Sequence, residues 1–192
     1  MKPRLILCGE IGCGKSTLIR NILGTDATKA GGYVTLRRMD SGKLVGFELA
    51  PACALADPAI TGQRFLDFTN GTIRNDRVFA AYGASLLTNA EKYPFAVADE
   101  FGGLELLVPE FREALYRLLR SDIPCVGVLK TYRASEALAQ RMRLGTDYET
   151  QYRTLRAALE SDPKTLLLNT IGRYDTEAEK NLSRWADTYA RR

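Results

Sequence analysis

The sequence predicts a three-layer α/β/α fold, a mostly parallel sheet with helices on both faces and one antiparallel hairpin. Three observations carry that expectation. A glycine-rich octapeptide, Gly9 to Ser16, follows a short apolar run and precedes an amphipathic one. Short apolar segments then alternate with helix-period segments along the chain, the pattern of strands joined by helical crossovers. A second apolar segment, Phe95 to Ala98, is preceded by Pro94 and ends in Asp99-Glu100, as buried parallel strands do at their functional ends.

Leu5-Ile6-Leu7-Cys8 is the first strand. Gly-Glu-Ile-Gly-Cys-Gly-Lys-Ser then matches the phosphate-loop pattern, and the amphipathic helix after it carries Leu18, Ile19, Ile22 and Leu23 on one side and stops at Gly24. Gly32 to Met39 and Leu44 to Leu49 are strand-like runs joined by Asp40-Ser41-Gly42-Lys43, a short-loop hairpin signal. Pro51, Pro58, Gly62 and Gly71 break any period between Ala50 and Asn75, so a loop with a short strand is expected there. Arg77 to Lys92 has helical character despite Gly83. Pro109 suits a first helical position, with Phe111, Leu115, Leu118 and Leu119 on the core face of a helix to about Arg120. Cys125 to Leu129 is a buried strand, and Ser135 to Leu144 and Asp147 to Glu160 are helices, the latter lining up Tyr148, Tyr152, Leu155 and Leu159. Thr165 to Leu168 is the last strand, and Ala178, Leu182, Trp185 and Tyr189 mark a closing helix. No repeats or linkers interrupt this order, so one nucleotide-binding domain over 1–192 is expected.

Composition narrows the chemistry. A chain of 192 residues buries about 70% of the surface its unfolded form exposes, so its core needs no metal or disulfide. With 45% hydrophobic and 26% charged residues it has ordinary globular character, and no apolar stretch approaches a membrane span, which excludes a membrane role. The four-residue apolar run near the N-terminus is expected to be a core strand rather than a signal peptide. Cys8, Cys13, Cys53 and Cys125 form no Cys-x-x-Cys pair and there is no histidine, so reduced thiols in a cytoplasmic protein are expected and Ser-His-Asp or Cys-His catalysis is excluded. Any general base must be a carboxylate, lysine or tyrosine. The net charge of +4 is spread out, with twelve Lys/Arg against nine Asp/Glu from Lys130 to Arg192, which gives nucleic-acid binding little support. Nothing in the sequence names a protein partner.

The phosphate-loop spacing carries a mechanism. Backbone N–H groups of Gly9, Glu10, Ile11, Gly12, Cys13 and Gly14 can curl around a polyphosphate, Lys15 reaches the β and γ oxygens, Ser16 offers its hydroxyl to Mg²⁺, and Thr17 continues the helix whose positive end faces the anion. Phosphate-loop enzymes pair this with a strand-end carboxylate on the metal and a neighbour that orients the nucleophile. Asp99 is therefore the expected metal residue beside Ser16, and Glu100 the expected catalytic residue with Lys15. Asp99 to Gly102 also fits a four-residue Asp-x-x-Gly pattern, whose glycine N–H can feel the γ-phosphate. Arg64, Arg74 and Arg77 are candidates for a cation on the developing charge.

At these residues the chain resembles the THEP1-type nucleoside-triphosphatases. The likeness rests on Gly9-Glu10-x-Gly12-x-Gly14-Lys15-Ser16-Thr17, on Gly32-Tyr33-x-Thr35 with Val45-Gly46-Phe47, and on Asp99-Glu100-x-Gly102-x-x-Glu105-Leu106 followed by Phe111-Arg112. It covers about residues 2–130. It implies a P-loop NTPase fold, Mg²⁺ as cofactor, and hydrolysis of ATP, GTP and other nucleoside triphosphates to the diphosphate and phosphate, with Gly102 and Glu105 lining the same site. Beyond Lys130 the chain departs from the family pattern. It adds a helical stretch at about 146–161, and it separates Asn169 from Arg173 where the family carries an adjacent Asn-Arg pair near the base. Two other readings stay open: a small-molecule or nucleotide kinase, and a nucleotide-dependent regulatory or binding module. No Asn-Lys-x-Asp guanine-reading motif occurs.

Overall fold

The computed structural model describes residues 1–170 and 175–191. Its centre is an eight-stranded sheet in the order β5-β4-β3-β2-β6-β7-β1-β8. The strands are β1 (Arg4–Cys8), β2 (Ala30–Asp40), β3 (Lys43–Pro51), β4 (Gln63–Asp67), β5 (Ile73–Arg74), β6 (Phe95–Phe101), β7 (Cys125–Leu129) and β8 (Thr165–Asn169). From β2 to β8 all neighbours run parallel, and β2, β3, β4 and β5 form an antiparallel extension. The expected hairpin is β2–β3, closed by Ser41 and Gly42, both at positive φ, 48° and 79°, the geometry of a two-residue turn matched to sheet twist. The extension is longer than the sequence suggested, because the irregular stretch with Pro58, Gly62 and Gly71 holds two short strands where one was expected.

Helices cover both faces. One layer holds α1 (Lys15–Leu23) and α6 (Thr176–Tyr189), which bury Ile19, Leu23, Leu182 and Trp185 against Leu5, Leu7, Val97 and Val126. The other holds α2 (Ala84–Asn89), α3 (Pro109–Arg120), α4 (Tyr132–Arg141) and α5 (Gly145–Ser161), with Phe111, Leu115, Tyr148 and Leu155 against Ile6, Ala96, Ala98 and Leu129. The period-2 alternation of β1 thus sends Leu5 and Leu7 to one layer and Ile6 to the other. The helix expected from Arg77 is continuous with α2, but its first part, Val78–Gly83, is π-helical. Gly83 sits against Phe111 and Leu49, where an added Cβ would come within 2.8 and 2.9 Å. Among the described residues no helix is long and apolar enough to cross a membrane.

Candidate functional site

The loop between β1 and α1 curls at the carboxyl edge of the parallel strands, where ligands of open α/β sheets bind. Gly12 and Gly14 take φ of 79° and 94°, conformations that glycine adopts without penalty. Lys15, only 8% exposed, folds back over the loop and donates to the carbonyls of Gly9 at 2.9 Å and Glu10 at 2.7 Å, with Cys13 Sγ at 3.2 Å. Its ammonium is thereby held in the concavity that the loop amides form.

Two strands away, β6 presents the carboxylates through a bulge. Ala98 pairs with Gly127 and Phe101 with Leu129, so Asp99 and Glu100 together face the single residue Val128. The strand therefore does not end at the pair, as the sequence suggested, but runs on to Phe101. Glu100 absorbs the bulge at φ 64°, a left-handed conformation that non-glycine residues hold at a cost of roughly 1–3 kcal/mol, typically at functional sites. The two side chains part company as a result. Asp99 is buried and its Oδ1 accepts from the Ser16 hydroxyl at 2.8 Å, while Thr35 on β2 donates to the Asp99 carbonyl at 3.3 Å. Glu100 is half-buried and lines the cleft.

Burial pushes the Asp99 carboxyl up to about 7, with the nearby Glu100 charge adding to the rise and the Ser16 bond offsetting only part of it. A buried carboxylate in this condition, joined to a hydroxyl, is a hard-oxygen pair suited to a divalent cation, whose charge would favour the ionised form.

The cleft is about 960 Å³ and is lined by Gly9, Ile11, Gly12, Gly14, Lys15, Ser16, Thr17 and Glu100 of the residues expected from sequence. Glu10 and Cys13 lie beside it, contributing a carbonyl and a thiol to Lys15. Gly102 and Glu105 do not line it: Glu105 is 3% exposed and its Oε1 accepts from the Gly103 N–H at 2.6 Å, which fixes the turn after β6. The arginine candidates also fall elsewhere. Arg64 pairs with Asp67 at 2.7 Å on the outer antiparallel strands, Arg74 donates to the Leu104 carbonyl at 2.8 Å, and Arg77 is exposed. The strand order explains this, since β2 and β3 separate β4 and β5 from β6. The arginines that do line the cleft are Arg20, Arg37 and Arg38. Sequence reasoning named Thr35 only within the family likeness, without its contact to Asp99, and missed Lys130, whose Nζ is 3.9 Å from Glu100 Oε2. Both follow from knowing that β2 and β7 flank β6, which no local pattern encodes. Of the segment expected near a base, Ile171 to Arg173 lie outside the described residues.

The family model described as NTPase matches residues 4–155. The chain is similar to the nucleoside-triphosphatase THEP1 of Methanosarcina acetivorans, 26% identical over 178 residues that span 88% of this chain and 99% of that one. It is also 26% identical to that of Thermotoga petrophila over 144 residues, covering 73% of this chain and 78% of the other. In fold, it resembles the crystal structure of THEP1 from the hyperthermophile Aquifex aeolicus, with a TM-score of 0.65 at 16% identity, covering 93% and 96% of the two chains. The solution structure of a human cancer-related nucleoside triphosphatase gives a TM-score of 0.64 at 16% identity, over 96% and 97%.

Proposed function

The chain belongs to the NTPase family, and from that premise we propose that this nucleoside-triphosphate phosphohydrolase is Mg²⁺-dependent and removes the γ-phosphate of ATP, GTP and related triphosphates within one nucleotide-binding domain. The observation that carries the reading is the convergence on one cleft of the phosphate loop, Glu100 and Ser16, with the buried Asp99 bonded directly behind Ser16.

In this mechanism the loop amides and Lys15 bind the β and γ oxygens and fix the triphosphate against α1. Ser16 and Asp99 would hold the metal, which when bound would supply charge that neutralises the triphosphate. Glu100, aimed into the cleft by the bulge, orients a water and accepts its proton. The water oxygen bonds to the γ phosphorus as the bond to the β–γ bridging oxygen breaks, and the leaving electron pair stays on the diphosphate. Four free thiols support a cytoplasmic, reducing setting.

A panel of nucleotides assayed for free phosphate without any acceptor tests this. Rapid release that a chelator abolishes and Mg²⁺ restores is the expected result. Release that stays slow until an acceptor is added would support a kinase instead.

A further inference from the structure

We propose that Lys130 is the cation that stabilises the charge developing on the γ-phosphate, and that α5 holds it in position through Tyr152, with Tyr148 bracing the neighbouring Gly102. The inference rests on the hydrolytic reading above and adds a residue and an element to it.

Lys130 follows the last residue of β7, the strand between β1, which leads into the phosphate loop, and β6, which carries Glu100. That position puts its ammonium between the two halves of the site: the side chain lines the cleft and its Nζ is 3.9 Å from Glu100 Oε2. The next residue, Thr131, also lines the cleft, and its buried hydroxyl has no hydrogen-bond partner among the described residues. A phosphoryl oxygen at the end of β7 would satisfy that hydroxyl and the ammonium together.

The main chain of Lys130 is fixed on both sides. Its N–H donates to the Phe101 carbonyl at 2.7 Å, tying it to the strand that carries Glu100. Its carbonyl accepts from the Tyr152 hydroxyl at 3.0 Å, and the Tyr148 hydroxyl donates to the Gly102 carbonyl at 3.0 Å. Both tyrosines are buried, and Tyr132 stacks on Tyr148 with ring centroids 5.5 Å apart. Two hydroxyls of one helix therefore grip the backbone just beyond the catalytic bulge, one after β6 and one after β7. Lys15 is already committed to the phosphate loop, and the remaining cations lining the cleft are less anchored: Arg37 and Arg38 are exposed on the outer half of β2, Arg38 leaning toward Glu48 at 3.8 Å, and Arg20 is exposed on α1.

The test measures ATP turnover, ADP affinity and affinity for ADP with aluminium fluoride in Lys130→Met, Tyr152→Phe and the double variant, with Glu100→Gln alongside. Lys130→Met should lose about 100-fold in kcat and its preference for the aluminium fluoride complex, while ADP affinity stays within about twofold. Tyr152→Phe should lose about fivefold in kcat in the parent and nothing further in Lys130→Met, since it acts through that residue. Turnover of Lys130→Met close to the parent overturns the cation role, and equal Tyr152→Phe losses in both backgrounds overturn the positioning role. Should Lys130→Met not fold, Lys130→Gln decides by the same readings. If Glu100→Gln also turns over normally, the hydrolytic site itself is wrong; if only Glu100→Gln is impaired, this inference alone fails.

Discussion

At the scale of single residues, the site gathers groups that cost stability. Asp99 ionises near 3.8 in an unfolded chain and near 7 in the folded one, because burial disfavours its charge. Its folded form binds the proton more tightly, so its contribution to stability is complete below 3.8 and is lost as pH climbs through about 7. Asp99→Asn carries no such loss. Melting both proteins in chelator should show little difference at about pH 4, a gap in favour of the variant that widens toward about pH 7, and a constant gap above it. A pH-independent gap would contradict the burial argument. Lys15→Ala should cost about 100-fold in kcat/KM, through weaker triphosphate binding as well as slower turnover, because the ammonium touches the ligand before and during the reaction. A change confined to kcat would assign Lys15 a narrower role.

Elements differ in how far the sequence announces them. The phosphate loop, α3 and β7 were legible because one local rule specifies each: glycine spacing, a proline before a 3.6-residue stripe, an unbroken apolar run. β4 and β5 were legible only as one short strand in an irregular stretch, since strands of five and two residues at the outer end of the sheet owe their form to the strands beside them. The bulge at Glu100 was hidden for a similar reason, being defined by what β7 places opposite it. Gly32 joins the two kinds of information. It belongs to a pattern that reads as functional, yet it has φ 87° and an added Cβ would lie 2.1 Å from the Val97 carbonyl oxygen of β6. Gly32→Ala must therefore strain the β2–β6 junction, and should cost roughly 3 kcal/mol, or roughly 6–12 °C in Tm for a chain of this size. An unchanged melting curve would refute that structural role.

Across the whole molecule, stability and chemistry reside in different places. The layer formed by α1 and α6 closes on Trp185, which is fully buried, meets Phe95 edge-on at 5.8 Å and donates its indole N–H to the Pro3 carbonyl at 2.9 Å. Trp185→Ala should lower global stability by about 3–5 kcal/mol with little effect on kcat well below Tm, as expected for a core residue away from the cleft. The cleft itself draws on the loop after β1 and on β2, β3, β6 and β7, so strand order decides which side chains meet, and this is why Asp99 and Glu100 were legible as site residues while the contact of Thr35 with Asp99 and the place of Lys130 were not. The most direct measurement is acceptor-free phosphate release by Glu100→Gln beside the parent, with triphosphate affinity determined on the same preparations. Retained affinity with release slowed by about 100-fold or more is the predicted result. Release at the parental rate would contradict the assignment of water activation to Glu100.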